Sequence, residues 1–323
     1  MIRSYIVVAV LATAYMVAVI LATVGLSTSA SAGMAQDLSN CTAAEGRDSA
    51  TACSRVMNSG RLPDEQFYIG YFNRGSGYRR AGDFDKALAD FDKVVKLKPR
   101  FARGYHMRGL VAADLGKRED ALADLARAIE LDADEWSTYY TRAAVLRAKG
   151  DYDGALADLK TAGELKPKEA KVRLLRALIT SDRGDYVEAR GEINKVISES
   201  RDTAAAYYAR AAVAFEEKRL DAASEDVERA LAEREAFPAA HTLQGRILEA
   251  RGETAAAKAR YRKALQAPVD HIEARSARNF ADERLKALGA DAADVALAQP
   301  NREVGCKRFL PATGSIINAP CDK

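Results

Sequence analysis

The chain has 323 residues, of which 49 are Lys or Arg and 46 are Asp or Glu, so its formal net charge is only +3. This near balance excludes the strong electrostatic footprint of a nucleic-acid-binding protein, and no long run of like charges marks an interaction tail. The length allows two domains, but a repeat array need not divide in that way.

The first 32 residues have the composition of an export signal. Arg3 is followed by an uncharged apolar stretch and then by the small residues Ala30, Ser31 and Ala32. This order matches a secretory signal cleaved after Ala32, with Ala35 as the second choice. The apolar stretch is about 20 residues long, enough to span a bilayer, so an uncleaved anchor is the alternative. In either case we predict that the body of the protein is exported.

Four cysteines lie outside this segment, two near the start of the mature chain and two near its end. An even number of cysteines in an exported chain predicts disulfides, and four cysteines allow three connectivities. We favour the two local pairs, because their loops are short. A metal site is not predicted, since the spacings are not CxxC and the three histidines are scattered. The predicted structural disulfides are Cys41 with Cys53 and Cys306 with Cys321.

The central part of the chain repeats one pattern every 34 residues. The phrase GDFDKALADFDKVVKLKP at 82–99 returns as GKREDALADLARAIELDA at 116–133 and as GDYDGALADLKTAGELKP at 150–167. Each unit has two apolar triplets spaced i, i+4, i+7, which predicts two helices. A glycine separates them in every unit except the fifth, which has Lys218. The six gapless units are 68–101, 102–135, 136–169, 170–203, 204–237 and 238–271.

Small residues occupy two fixed positions of the unit. The eighth residue is Gly or Ala, and the twentieth is Ala in all six units. Two helices can approach closely only where neither has a bulky side chain. These positions, with the 34-residue period, resemble the tetratricopeptide repeat family. The resemblance implies an all-α fold: a right-handed superhelical solenoid of six helix–turn–helix units whose first helices line a concave groove.

The segments on either side of the repeats are predicted to be caps, because the terminal repeats of a solenoid otherwise expose an apolar face. Residues 33–67 form the N-terminal cap, in which DSATACSRVM at 48–57 resembles a lone second helix. Residues 272–289 form a closing helix. Residues 290–323 form a linker and a short tail that contains the second cystine.

An arginine recurs at the seventh position of five units, and an acid recurs at the twenty-third position of the same units. In the sixth unit both change together, to Gln244 and Arg260. This paired loss favours Arg–carboxylate bridges within or between units over a positive track for an acidic ligand. The predicted salt-bridge ladder comprises Arg74, Arg108, Arg142, Arg176 and Arg210 with Asp90, Asp124, Asp158, Glu192 and Asp226.

The family resemblance also assigns groove contacts, at the second, fifth, ninth and twelfth positions of the units. Aromatic and arginine side chains at these positions are the types enriched in binding hot spots. The alternative is that Tyr140 and Tyr208 pack between neighbouring first helices. The lysines and asparagines with which some family members clamp a peptide carboxylate are absent. The predicted groove residues are Phe72, Arg79, Arg103, His106, Tyr140, Arg147, Lys171, Tyr208, Phe215 and Arg246.

No catalytic signature is present, neither GxSxG nor HExxH nor a phosphate-binding glycine loop, so we predict a non-catalytic protein without a cofactor. The layout, including ACSRVMNSG at 52–60, resembles exported tetratricopeptide proteins of Gram-negative bacteria. That resemblance implies a periplasmic scaffold of the cell envelope that binds a peptide or protein partner, with membrane contact only through an uncleaved N-terminus. An inner-membrane-anchored protein facing the periplasm and a secreted protein are the alternative locations. A periplasmic receptor or carrier for a small molecule or glycan and a self-associating architectural component remain alternatives.

Overall fold

The computed structural model describes residues 33–42, 46–60, 62–199, 203–267 and 272–289, and the backbone of residues 306–310 and 315–319. The predicted export signal lies outside these ranges. The side chains of the predicted disulfide pair, Cys306 and Cys321, also lie outside what is described. Within the described ranges, no helix is long and apolar enough to cross a bilayer. The described residues divide into two compact units, one that ends at residue 115 and one that begins at residue 116.

The first unit consists of a cap, one complete helix pair and one further helix. Its core lies on α4, where Phe84, Ala87, Phe91 and Val94 recur at helical spacing and are buried. Tyr71 and Phe72 of α3 and Phe101 pack against this core. The elements are α1 (33–42), α2 (Gly46–Asn58), a 3-10 turn (Asp64–Gln66), α3 (Phe67–Arg80), α4 (Phe84–Leu97) and α5 (Ala102–Asp114).

The cap helix α2 packs on α3 at a glycine. A Cβ atom at Gly77 would lie 2.9 Å from the carbonyl oxygen of Gly46 and 3.0 Å from the nitrogen of Ala50. Gly77 is the tenth residue of the first repeat, and the other five repeats have Val or Ile at that position. A disulfide between Cys41 and Cys53 joins α1 to α2, and both cysteines are buried. The first repeat is thus specialised to receive a disulfide-bonded cap.

The second unit is a series of helix pairs. Each first helix from α7 to α13 packs on the second helix of its own repeat and on that of the preceding repeat, and α15 packs on α13 and α14. Helix bounds are α6 (Arg118–Leu131), α7 (Trp136–Lys149), α8 (Tyr152–Leu165), α9 (Ala170–Asp182), α10 (Tyr186–Glu199), α11 (Ala204–Glu216), α12 (Leu220–Glu233), α13 (Pro238–Ala250), α14 (Thr254–Gln266) and α15 (Ile272–Ala287).

The predicted all-α repeat fold is confirmed, and its helix contacts are made at the small positions. Ala143, Ala177 and Ala211 are almost completely buried on the first helices, as are the alanines of the twentieth position. The C-terminal tail adds an element that the sequence analysis did not predict, an antiparallel pair of strands, β1 (Cys306–Leu310) and β2 (Ser315–Ala319). The Pro-Ala-Thr-Gly stretch between two β-prone runs was the available signal.

The turn between the two helices of a unit needs a left-handed residue. Gly82, Gly150, Gly184 and Gly252 have φ between 80° and 93° there. In the fifth unit Lys218 takes the same conformation, with φ of 64°, and no other non-glycine residue of the described ranges has a positive φ. The turn geometry is therefore kept where the glycine is lost, at the cost of backbone strain.

Replacing Lys218 by Gly is expected to raise the free energy of unfolding by up to about 1 kcal/mol, because glycine adopts this conformation without steric conflict. The reverse change, Gly150→Lys, should lower it by a similar amount. Urea denaturation followed by circular dichroism measures both. A Lys218→Gly variant less stable than the parent protein would contradict the strain argument.

Candidate partner-binding surface

Arginine–aspartate pairs join the two helices of several repeats. Arg142 donates from Nε and Nη2 to the two carboxylate oxygens of Asp158, at 2.7 and 2.6 Å. Arg74 with Asp90 and Arg210 with Asp226 have the same bidentate geometry. All three aspartates are buried. These pairs are 16 residues apart, as the seventh and twenty-third positions require.

The predicted pair of Arg176 and Glu192 has a different geometry. Arg176 makes a single contact with Glu192, at 3.1 Å, and is more exposed. Arg108 contacts Asp92 at 2.9 Å, within the first unit. Asp124 is buried like the other aspartates at this position, and its predicted bridge with Arg108 stays a prediction. Because the bidentate arginines are engaged by buried carboxylates within the fold, the geometry supports a structural role for these residues.

Four of the predicted groove residues lie in the first compact unit, which ends at residue 115. The ring of Phe72 contacts Phe91 and Phe101, with centroids 5.8 and 5.6 Å away, and the guanidinium of Arg103 lies over its face. Arg79 donates to the buried carboxylate of Asp114 at 2.8 Å. His106 is half-buried on α5. Phe72 and Arg79 therefore serve packing and pairing, while Arg103 is exposed.

An ion pair with a spacing of 35 residues recurs between consecutive first helices. Arg147 donates to both oxygens of Asp182, at 2.6 and 3.2 Å, in the same relation as Arg79 and Asp114. Glu249 and Arg284 form the same pair with the charges reversed. The sequence analysis missed Asp114 and Asp182. A basic twelfth residue followed by an acidic thirteenth residue in the next unit was the signal.

Two tyrosines and a lysine of the predicted groove lie on α7, α11 and α9. Tyr140 lies against Trp136, with ring centroids 6.2 Å apart, and Tyr208 lies against Phe237 at 5.2 Å. Both tyrosines are half-buried, whereas Lys171 is exposed. The two rings thus pack against neighbours and still present part of their surface to solvent.

A cluster of Phe215, Arg246 and Phe280, here called the Phe–Arg–Phe stack, joins α11, α13 and α15. The guanidinium carbon of Arg246 lies 4.4 Å from the ring centroid of Phe215 and 5.6 Å from that of Phe280. Arg246 also donates to Glu216 at 3.3 Å. Phe280 is 38% exposed, a large value for a phenylalanine whose ring also contacts Arg246 and Tyr261. The sequence analysis predicted Phe215 and Arg246 but not Phe280.

A hydrogen-bonded group next to the stack fixes α15 on the last repeat. The buried hydroxyl of Tyr261 donates to Glu249 at 2.6 Å, and Arg284 donates to the same carboxylate. The hydrogen bond from Arg284 lowers the pKa of Glu249, and burial together with Glu249 raises the pKa of Tyr261. Tyr261 therefore stays a neutral donor at physiological pH, and the position of Phe280 on α15 is well defined.

His241 is a buried histidine that replaces the tyrosine found at the fourth position of four other units. Its Nε2 donates to the carbonyl oxygen of Glu235 at 2.8 Å, and its Nδ1 has no hydrogen-bond partner among the described residues. Burial lowers the pKa of His241, and the positive charges of Arg260 and Lys263 lower it further. The structure thus holds the imidazole in its neutral form.

This arrangement predicts a pH dependence of stability. Because the folded-state pKa is depressed, the unfolded chain binds more protons once the pH falls below the ordinary imidazole value of about 6.5. The free energy of unfolding should therefore decrease between pH 7 and pH 5. His241→Gln, which does not titrate, should make this decrease smaller in urea denaturation across that range. Identical slopes for the two proteins would contradict the assignment.

The described residues contain no group of three or more His, Cys, Asp or Glu side chains that could hold a metal ion.

The fold described above, a series of helix pairs whose first helices are partly exposed, is that of a helical-repeat protein. Tetratricopeptide repeat profiles match residues 68–101, 106–170 and 146–213. The chain therefore contains tetratricopeptide repeats, and the resemblance to that family is confirmed for these residues.

Solved structures have the same fold. A tetratricopeptide repeat protein from Parabacteroides merdae is similar with a TM-score of 0.63 and 20% identity, over 78% of this chain and 98% of that chain. The Cut9–Hcn1 hetero-tetramer of APC/C is similar with a TM-score of 0.54 and 15% identity, over 76% of this chain and 48% of that chain. At these identities the likeness concerns the fold alone. No curated protein matches the chain.

Proposed function

We propose that this protein is a non-catalytic scaffold of the bacterial cell envelope that binds a peptide or protein partner on the first helices of its repeats. Members of the tetratricopeptide repeat family generally mediate protein–protein interactions. The observation that carries the proposal for this chain is the Phe–Arg–Phe stack, which leaves a large apolar ring partly exposed beside a fixed arginine.

The chemistry of the stack suits a protein partner. Aromatic and arginine side chains contribute much of the binding energy at protein interfaces. Arg246 is already held by Glu216 and by two rings, so little side-chain entropy remains to be lost on binding. An apolar side chain of the partner would pack on Phe280, and a carboxylate or carbonyl oxygen would accept from Arg246. Tyr208 on α11 would extend the contact.

The proposed location in the cell envelope rests on two observations. The first 32 residues have the composition of an export signal, and the cap contains a disulfide between Cys41 and Cys53, as expected of an oxidising compartment. This location is tested by measuring the intact mass of the native protein after thiol alkylation, with and without prior reduction. We expect loss of residues 1–32 and alkylation only after reduction. Free thiols without reductant would contradict it.

The binding function is tested by quantitative co-purification from envelope extracts. Phe280→Ala and Arg246→Ala are compared with Leu165→Ala, a matched control because Leu165 is 36% exposed but lies at the end of a second helix. We expect a defined set of proteins to be lost with both stack variants and retained with the control. Equal recovery with all three variants would contradict the proposal.

A further inference from the structure

A crevice of about 440 Å³ lies between α8, the α8–α9 loop, α9 and α10, all within the second unit. It is separate from the Phe–Arg–Phe stack, whose residues do not line it. Its volume is in the range of small-molecule sites, about 300–1,000 Å³. Leu159 and Val172 form part of its apolar wall, and charged side chains form its rim.

The crevice exists because two consecutive repeats, 136–169 and 170–203, each depart from the others at one position that lines this space. Gly163 is the twenty-eighth residue of its unit, where the other five have an aliphatic side chain: Val95, Ile129, Ile197, Leu231 and Leu265. A Cβ atom at Gly163 would meet only Val172, at 3.9 Å. Arg173 occupies the fourth position, where four units have tyrosine. One departure removes a filling side chain and the other adds a cation.

The lining has a positive excess. Five basic residues and three acidic residues line the crevice, and 5 − 3 leaves a formal charge of +2. Three of the cations converge on one carboxylate: Lys195 at 3.0 Å, Arg176 at 3.1 Å and Arg173 at 4.0 Å from Glu192. The hydrogen bond from Lys195 lowers the pKa of Glu192, which therefore stays ionised. The basic residues are Lys160, Lys166, Arg173, Arg176 and Lys195, and the acidic ones are Glu164, Glu169 and Glu192.

We propose that this crevice binds a small organic anion with two or more carboxylate or phosphate groups. Arg176, which contacts Glu192, and Arg173, which contacts Glu192 and donates to Glu199 at 2.5 Å, would turn their remaining planar donors to the acidic groups of the ligand. Lys160 and Lys166 make no ion pair within the described ranges and add charge at the rim. The space left by Gly163 admits the body of the ligand against Leu159 and Val172. The site shares no residue with the Phe–Arg–Phe stack.

Isothermal titration of the purified full chain with citrate and, separately, with pyrophosphate at low ionic strength tests the site. We expect saturable binding of at least one probe, and the two arms distinguish carboxylate from phosphate. Gly163→Ile refills the crevice with the residue found in the second and fourth units, and Arg173→Tyr restores the usual tyrosine. Each should weaken binding at least about 10-fold, with the fold retained by circular dichroism.

Two lysine variants with the same change in charge test whether binding depends on the crevice or only on the overall charge of the protein. Lys195→Ala removes a lining cation, and Lys93→Ala removes the cation at the same repeat position in the first unit. Only Lys195→Ala should weaken binding. No saturable heat with either probe, unchanged affinity in Gly163→Ile, or equal losses in the two lysine variants would each overturn the proposal. If Gly163→Ile fails to fold, unchanged affinity in Arg173→Tyr overturns it.

Discussion

Gly245→Ala is expected to lower the free energy of unfolding by about 1–3 kcal/mol, the usual range for overpacking a core. A Cβ atom at this position would lie 2.5, 2.7 and 2.8 Å from three atoms of the Tyr261 ring. The ring cannot easily move, because Tyr261 is fully buried and its hydroxyl is bonded to Glu249. The clash should outweigh the gain of about 1 kcal/mol that alanine brings to a helix interior.

Gly191→Ala is the matched control for this prediction. Gly191 lies inside α10, and a Cβ atom there would meet nothing within 4 Å. The same substitution should therefore raise the free energy of unfolding by up to about 1 kcal/mol. Urea denaturation of both variants gives the two signs. A Gly245→Ala protein as stable as Gly191→Ala would contradict the close packing of α13 on α14.

Asp158→Ala is expected to lower the free energy of unfolding by about 3 kcal/mol, because it leaves Arg142 partly buried without its bidentate partner. The carboxylate side chain is only 8% exposed in the pair. Asp153→Ala is the matched control on the same helix. Asp153 pairs with Arg183 at 2.9 Å but is 92% exposed, so its loss should cost under about 1 kcal/mol.

A double-mutant cycle on Arg142 and Asp158 measures the coupling directly. We expect the double variant to lose clearly less stability than the sum of the two single losses, with a coupling energy of at least about 1.5 kcal/mol. Unfolding free energies from urea denaturation supply all four corners of the cycle. Additive losses would contradict the bridge.

The repeat fold could be predicted from the sequence because its determinants recur in every unit. The period, the small residues at the eighth and twentieth positions and the glycine of the turn each appear several times, so each pattern supports the others. Even the exception at Lys218 keeps the left-handed geometry. The strands β1 and β2 occur once and have no internal copy against which their pattern could be read.

The contact between the eighth and twenty-fourth residues of a repeat shows a feature that the periodicity of the sequence alone does not predict. Gly75 faces Phe91 and Gly245 faces Tyr261, with little space between them. The repeats with Ala143, Ala177 and Ala211 have an aliphatic residue at the twenty-fourth position instead. The aromatic ring at the twenty-fourth position therefore explains the glycine of the first and sixth repeats. It does not explain Gly109, because the second repeat has Leu125 at that position.

The candidate surface was only partly predictable. Family positions include Phe215 and Arg246, but Phe280 belongs to the closing helix, outside the six units, and only the geometry brings it to Arg246. Conversely, Arg79 and Arg147 occupy groove positions in sequence, yet both are bound to aspartates of the next first helix. The identity of such partners depends on contacts between units rather than on the pattern within one unit.

The most direct test of partner binding at the Phe–Arg–Phe stack is in-cell photo-crosslinking with a photoreactive residue at Phe280 and, as control, at Leu165. These side chains are 38% and 36% exposed, so exposure alone cannot separate them. The proposed function predicts a discrete protein adduct from position 280 and none from position 165. Equal labelling at both positions, or no adduct at position 280, would contradict a partner site on this surface.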